Sequence, residues 1–163
     1  MVALALSREQ VLEWLSAVAD PEIPVVTIAD LGILRDVRIG DDVTVELAPT
    51  YSGCPATEVI EQSVVDALYQ QGIENVRIER VLSPPWTTDW ISAEGREKLR
   101  NYGIAPPAEG GTKRELLHGA RSIACPRCAS TDTAVVSEFG STACKASYKC
   151  NDCLEPFEYF KCI

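Results

Sequence analysis

Cys125-Pro126-Arg127-Cys128 and Cys150-Asn151-Asp152-Cys153 are two Cys-x-x-Cys units with 21 residues between them. Paired knuckles of this kind place four thiolates at the corners of a tetrahedron, the donor set of a closed structural Zn²⁺ site, at a spacing slightly beyond the usual zinc ribbon. Four thiolates also hold iron, as a single ion or within an iron–sulfur cluster, and ligand type alone does not separate these. Zinc is the expectation, because no other feature of the chain binds an electron-transfer cofactor. The segment is too short to build an adequate apolar core, so metal binding is expected to supply folding free energy on the order of 10 kcal/mol.

A second cysteine chemistry resides in Pro49-Thr50-Tyr51-Ser52-Gly53-Cys54-Pro55. Proline is favoured at the first helical position, which makes Cys54 the expected cap, facing unpaired amide donors and the positive end of the helix dipole. Such a setting stabilises the thiolate, the form that ligates metal or attacks an electrophile. The alternative is a small buried apolar residue. Cys144 and Cys162 are left over: either packed side chains, or partners of Cys54 in a labile second metal site. Cys144 follows the small-residue turn Phe139-Gly140-Ser141-Thr142-Ala143, whose exposure of the thiol is the alternative to packing. Asp20-Pro21-Glu22-Ile23-Pro24 offers two carboxylates on a stiff turn, or else a solvated connector in which Asp20 ends a helix. An enzyme of cysteine chemistry needs a base, and the single histidine, His118, has nothing tying it to Cys54. No glycine-rich nucleotide fingerprint is present.

These residues must be positioned by elements, and composition bounds what those elements are. The 163 residues divide into two small domains, since six of seven cysteines follow residue 124. The net charge of −9 is uneven: residues 1–105 carry 8 Lys/Arg against 17 Asp/Glu, and residues 106–163 carry 7 of each. An acidic first domain and a neutral second one lack the basic excess that binds nucleic acid. No apolar run is long enough to span a bilayer. Residues 1–6 form a short apolar run without the basic flank of a secretory signal. A cytoplasmic, reducing location follows as the expectation, and it favours metal ligation over disulfides.

Ser7-Arg8-Glu9-Gln10 reads as a capping box, followed by Val11, Leu15 and Val18 at helical spacing, with Asp20-Pro21 as the stop. Alternation over 33–39 and 43–47, separated by Gly40-Asp41-Asp42, predicts a β-hairpin. A helix is expected over 55–71, with Val59, Ile60, Ser63, Val64, Ala67 and Leu68 inward and Gly72 past its end. A third strand over 75–81 completes an α+β domain with helices on one face of a small sheet. Residues 83–91 carry two prolines and the indoles of Trp86 and Trp90; this loop either packs back on the domain or offers a partner-docking surface. Residues 92–101 predict a short charged helix closed by Gly103. The domain boundaries are therefore 1–104 for the α+β domain, 105–119 for a Pro/Gly linker, and 120–163 for a zinc-ribbon β module with strands over 133–136, 147–149 and 157–160.

Asp20-Pro21-Glu22, Asp30-Leu31-Gly32, the Thr50 to Pro55 loop and Pro85-Trp86-Thr87 resemble the small domain of cytosolic iron–sulfur assembly factors. With the ribbon motifs Phe139-Gly140-Ser141-Thr142-Ala143-Cys144-Lys145 and Glu155-Pro156-Phe157-Glu158-Tyr159-Phe160-Lys161-Cys162, nearly the whole chain is similar to the D subunits of bacterial phenylacetyl-CoA epoxidase systems. The stretch Tyr51-Ser52-Gly53 is longer than such loops usually are.

The resemblance implies a non-enzymatic accessory protein of aerobic phenylacetate catabolism that assembles or delivers an iron–sulfur cluster, with the epoxidase reductase as the expected client. It implies Cys54 as the transfer thiolate, in the loop that Thr50 opens, with Asp20 and Glu22 as neighbours of that loop; Cys144 or Cys162, from the ribbon or from a second copy in a homodimer, are the further candidates to assist it. The cargo would be iron or a transient cluster, and the ribbon zinc would be permanent. The alternative is a structural or regulatory component that docks onto the oxygenase, through Trp86 and Trp90 for example, without metal transfer.

Overall fold

The computed structural model describes residues 6–107 and 123–161. Its contacts divide the chain into two compact units, Met1–Trp86 and Thr87–Ile163.

The first unit opens with α1 (Arg8–Ser16), whose cap Ser7 accepts the Gln10 N–H at 3.2 Å. Val11 and Leu15 are fully buried, as their spacing requires. The helix ends at Ser16, before the expected stop at Asp20, because Val18 N–H folds back to the Leu15 carbonyl and Ala19 enters a bridge with Thr27. Next come β1 (Leu34–Ile39), β2 (Val43–Leu47), α2 (Ala56–Gln70) and β3 (Val76–Arg80). β1 and β2 form the hairpin, and β3 adds parallel to β2 after the α2 crossover, giving the sheet order β1-β2-β3.

One sheet face is apolar and packed: Val37 opposes Val45, which opposes Ile78. The other carries charge, where Arg38 bonds Glu46 at 3.2 Å and also pairs with Glu79. On α2 the buried residues are Ala56, Thr57, Ile60, Val64 and Leu68. Val59, expected inward, is 51 % exposed, while Ser63 and Ala67 are half-buried, so the buried stripe is narrower than periodicity predicts.

The second unit begins with a single 3₁₀ turn, Thr88–Trp90, and α3 (Ala93–Tyr102). Ser92 caps α3 through the Gly95 N–H at 2.9 Å, and Gly103 closes it at φ 95°. Arg96 is buried along its stem, and its guanidinium donates to the carbonyls of Thr88, at 2.6 Å, and Pro107.

A four-stranded sheet of order β4-β7-β6-β5 follows, from β4 (Ile104–Ala105), β5 (Thr133–Ser137), β6 (Lys145–Cys150) and β7 (Pro156–Phe160). Ile104 and Ala105 pair in parallel with Glu158 and Tyr159. Composition alone puts residue 104 at the end of the first domain and 105 in the linker; both lie in the ribbon sheet, a long-range pairing that leaves no local mark. The rest of the linker, 108–119, and the ribbon residues 120–122 lie outside the described residues. Ala105, Ile123, Cys125, Ala146, Cys150, Phe157 and Tyr159 form a core of this unit, with Tyr148 stacked on Phe157 at 5.8 Å. Among the described residues, no helix is long and apolar enough to cross a membrane.

Candidate metal centre and the Cys54 loop

The sequence 125–130 turns back on itself: Cys125 N–H donates to the Ser130 carbonyl at 2.8 Å and Ala129 N–H to the Cys125 carbonyl at 2.9 Å. The second knuckle repeats the device, with Cys150 N–H donating to the Glu155 carbonyl at 3.0 Å. Each knuckle then needs one left-handed residue directly after its second cysteine, and these are Ala129 (φ 62°) and Leu154 (φ 63°). Neither is glycine, so each carries a backbone cost of about 1–2 kcal/mol.

The outcome is a four-sulfur cluster. The Sγ atoms of Cys125, Cys128, Cys150 and Cys153 all lie within 4.8 Å of one another. Cys125 and Cys153 are 3.7 Å apart, and Cys128 and Cys150 3.5 Å. One tetrahedral ion with metal–sulfur bonds of about 2.3 Å sets sulfur–sulfur edges of about 3.8 Å. The donor set therefore fits a single resident tetrahedral ion, Zn²⁺ or one iron. A cluster, by contrast, would put further iron and sulfide between the ligands.

Backbone amides converge on the sulfurs: Ser130 N–H on Cys128, Cys153 and Asp152 N–H on Cys150, and Glu155 N–H on Cys153. The Cys153 amide above all draws the Cys150 thiol down to about 7, against the cost of burial. Cys153 goes the other way, to about 12: the Glu155 amide lowers it, but burial and the thiols of Cys128, Cys150 and Cys125 outweigh that pull. Cys128 is likewise raised: the Ser130 amide lowers it, but burial and the thiols of Cys150 and Cys125 outweigh that pull. Metal binding therefore displaces protons from Cys128 and Cys153.

Cys54 stands in the first unit and is half-buried. The cap of α2 is Pro55, already in helical conformation (φ −62°), so Cys54 sits one residue further out than the expected cap position. Its carbonyl accepts Thr57 N–H at 3.1 Å, and its own N–H reaches the Tyr51 carbonyl at 3.4 Å. The turn that delivers it depends on Gly53, at φ 84°. Thr50 and Tyr51 are half-buried upstream in the same loop.

Asp20 is buried and organises its own loop: Oδ1 accepts Glu22 N–H at 2.9 Å and Ile23 N–H at 2.8 Å. It does not end α1, which stops at Ser16. Glu22 is half-buried. Asp30 is not among the site residues expected from the sequence, yet it is buried and its carboxylate accepts Thr27 N–H at 3.0 Å, while Thr27 Oγ1 accepts Asp30 N–H at 3.1 Å. The Thr27-x-x-Asp30 spacing is the signal that could have found it.

Trp86 is buried, and its indole N–H donates to the Leu31 carbonyl at 2.8 Å. It packs the first unit, as the packed-back reading of this loop expects, so the docking alternative is corrected for Trp86; Trp90 is half-buried in the second unit. Cys144 is also buried, its Sγ 3.0 Å from Thr142 Oγ1, so of the two readings the packed one holds and the 139–143 turn does not expose the thiol. Cys54 and Cys144 fall in different units, and Cys162 lies outside the described residues.

The loop 139–145 holds a further pair that the sequence did not mark. Lys145 is buried and its ammonium lies 3.0 Å from Glu158, whose other oxygen accepts Ser141 N–H at 2.8 Å. Burial opposes ionisation of Glu158, but the Ser141 amide and Lys145 outweigh it and hold its pKa below the ordinary value.

Comparison with known proteins covers both units. The PaaD zinc beta ribbon domain matches residues 109–161, and the iron-sulfur cluster assembly protein family matches residues 8–79. An Escherichia coli (strain K12) protein, named as the putative D subunit of 1,2-phenylacetyl-CoA epoxidase, is 51 % identical over 150 residues, covering 91 % of this chain and 89 % of its own length. The Fe-S protein maturation auxiliary factor SufT of Staphylococcus aureus (strain USA300) is 33 % identical over 78 residues, covering 46 % of this chain and 88 % of its own. A crystal structure of a domain of unknown function, DUF59, from Bacillus anthracis superposes with a TM-score of 0.53 at 26 % identity, covering 56 % of this chain and 90 % of that one.

Proposed function

The chain belongs to the family of phenylacetyl-CoA epoxidase D subunits, and on that premise we propose that it is a cytoplasmic accessory factor that loads iron or an iron–sulfur cluster into the reductase component of that oxygenase. Cys54 is the transfer ligand in this reading. The observation that carries it is the placement of one half-buried cysteine on a glycine-dependent turn before α2, in the part of the chain that matches iron–sulfur assembly proteins. A single thiolate ligates its cargo incompletely, and incomplete ligation lets the cargo pass to a better-liganded acceptor. Thr50 belongs to the same loop, and Asp20 and Glu22 are assigned to the site in this reading by the family resemblance.

The ribbon has the opposite chemistry. Four converging sulfurs close the coordination sphere of one Zn²⁺, which then supplies folding free energy and needs no exchange. Trp90 and the ribbon surface are the proposed contacts with the oxygenase and reductase components.

Anaerobic metal and sulfide analysis with an absorption spectrum, on wild type and Cys54→Ser after reconstitution with iron and sulfide, tests the reading. One tight zinc in both proteins plus sub-stoichiometric iron and sulfide in wild type alone is the expected result. Zinc in both, no iron in either and a stable stoichiometric complex with the oxygenase would overturn it in favour of a docking role alone.

A further inference from the structure

We propose that Ser130, Asp132, Asn151 and Asp152 form a polar brace between the two knuckles and are positioning residues of the ribbon metal site. None of the four is a ligand. Ser130 Oγ donates to the Asp152 carboxylate and accepts Asp132 N–H at 3.1 Å. Asn151 Nδ2 donates to Asp132 Oδ1 at 2.7 Å, and Asn151 N–H to the Asp132 carbonyl at 2.9 Å. The residues following the first knuckle are therefore tied, by three direct bonds, to the two residues enclosed by the second.

The brace bears on the sulfurs through the main chain. Ser130 and Asp152, joined by their side chains, are also the residues whose backbone N–H groups point at Cys128 and Cys150. Those are the two cysteines 3.5 Å apart across the knuckles. One side-chain contact thus sets the relative position of two amide donors, each aimed at a different ligand. The β5–β6 pairing reinforces it, since Thr133 opposes Cys150. Outer partners that orient ligands are worth about 10- to 100-fold in metal retention. Without the brace, the knuckles would be held in mutual register at this end by the ion, the ladder and the long, exposed Arg127–Glu155 ion pair at 3.9 Å.

The proposal rests on the ribbon holding a metal ion and is independent of Cys54. Its test uses the full chain loaded with Zn²⁺ or with Co²⁺ as a spectroscopic substitute. The readouts are the rate of metal release to a chromogenic chelator and the Co²⁺ ligand-field bands. Ser130→Ala and Asp152→Ala should each release metal at least about 10-fold faster and shift the Co²⁺ bands. Asp152→Asn, which keeps an acceptor for Ser130, should return to within about threefold of wild type. The double variant Ser130→Ala/Asp152→Ala should be no faster than the faster single one, because both remove the same contact. If Ser130→Ala yields no loaded protein, Asn151→Asp sets a carboxylate against Asp132 and must itself accelerate release. Release within about twofold of wild type in the alanine variants, or effects that multiply in the double, overturns the brace. A wild-type chain that takes up no metal would instead overturn the ribbon reading, a different and recognisable failure.

Discussion

Trp86 donates its indole N–H to the carbonyl of Leu31 at 2.8 Å, joining residues 55 positions apart. Both side chains are buried, at 6 % and 1 % exposure, so water cannot replace either partner. The bond fastens the end of the first unit to the loop that Asp20 and Asp30 shape. Trp86→Phe keeps an aromatic ring and leaves the Leu31 carbonyl without that donor, at a cost of about 2 kcal/mol. A lower urea midpoint at unchanged m value is the expected observation; an unchanged midpoint would show that the carbonyl had found another donor.

Leu154 occupies a left-handed position and is 64 % exposed, so its side chain contributes little to packing. Leu154→Gly removes a backbone cost of about 1–2 kcal/mol and adds back part of it as chain entropy, for a net gain of about 0.5 kcal/mol. Leu154→Val, branched at Cβ, should instead lose about 1 kcal/mol or more. Denaturation of the metal-loaded protein should rank the three glycine, leucine, valine.

Gly140 is required for space. A Cβ there would lie 2.7 Å from Glu158 Oε1 and 3.2 Å from Lys145 Cβ. Gly140→Ala should therefore cost about 1–3 kcal/mol by pushing Glu158 Oε1 off the Ser141 N–H and disturbing the Lys145 pair made by the other oxygen. Much of that loss should disappear in a Glu158→Ala background, where the clashing oxygen is gone, and thermal melting of the four proteins would measure the coupling.

The same pair makes the second unit acid-sensitive. Glu158 has a folded pKa below its ordinary value near 4.5, so its stabilisation is complete above that value and is lost as pH falls through the folded pKa. Stability profiles from about pH 6 to 3 should fall more steeply for wild type than for Glu158→Gln.

Metal loading should depend on pH in a different window. Cys128 and Cys153 hold their protons at neutral pH, Cys153 with a value pushed up to about 12. Binding must release at least these two, so zinc affinity should fall about 100-fold for each unit of pH lowered around neutrality. Competition titrations at three pH values spanning neutrality would check the slope, and a slope of one proton or fewer would contradict this picture of the sulfurs.

Local signals were legible in the chain. Ser7 announced α1, alternation located the hairpin of β1 and β2, and Gly103 marked the end of α3, because capping and periodicity act over a few residues. The two Cys-x-x-Cys units determined the four-sulfur site for the same reason: each knuckle is a short turn with its own hydrogen bonds. The family resemblance, carried by separated motifs, agrees with the matched relative.

What escaped the sequence depends on residues far apart in it. The choice of packing over exposure for Trp86 and Cys144, the pairing of Ile104 with Glu158 and the narrow buried stripe of α2 follow from neighbours about 50 or more residues away in some cases and from sheet register in others. Lys145 and Glu158 read as ordinary surface charges until β6 and β7 set them 3.0 Å apart. The chain by itself determined which residues can ligate metal, because that is a property of side-chain type and short spacing. Only the tertiary structure decided which polar groups brace those sulfurs and that Cys144 is packed, because those positions are set by long-range strand pairing and packing.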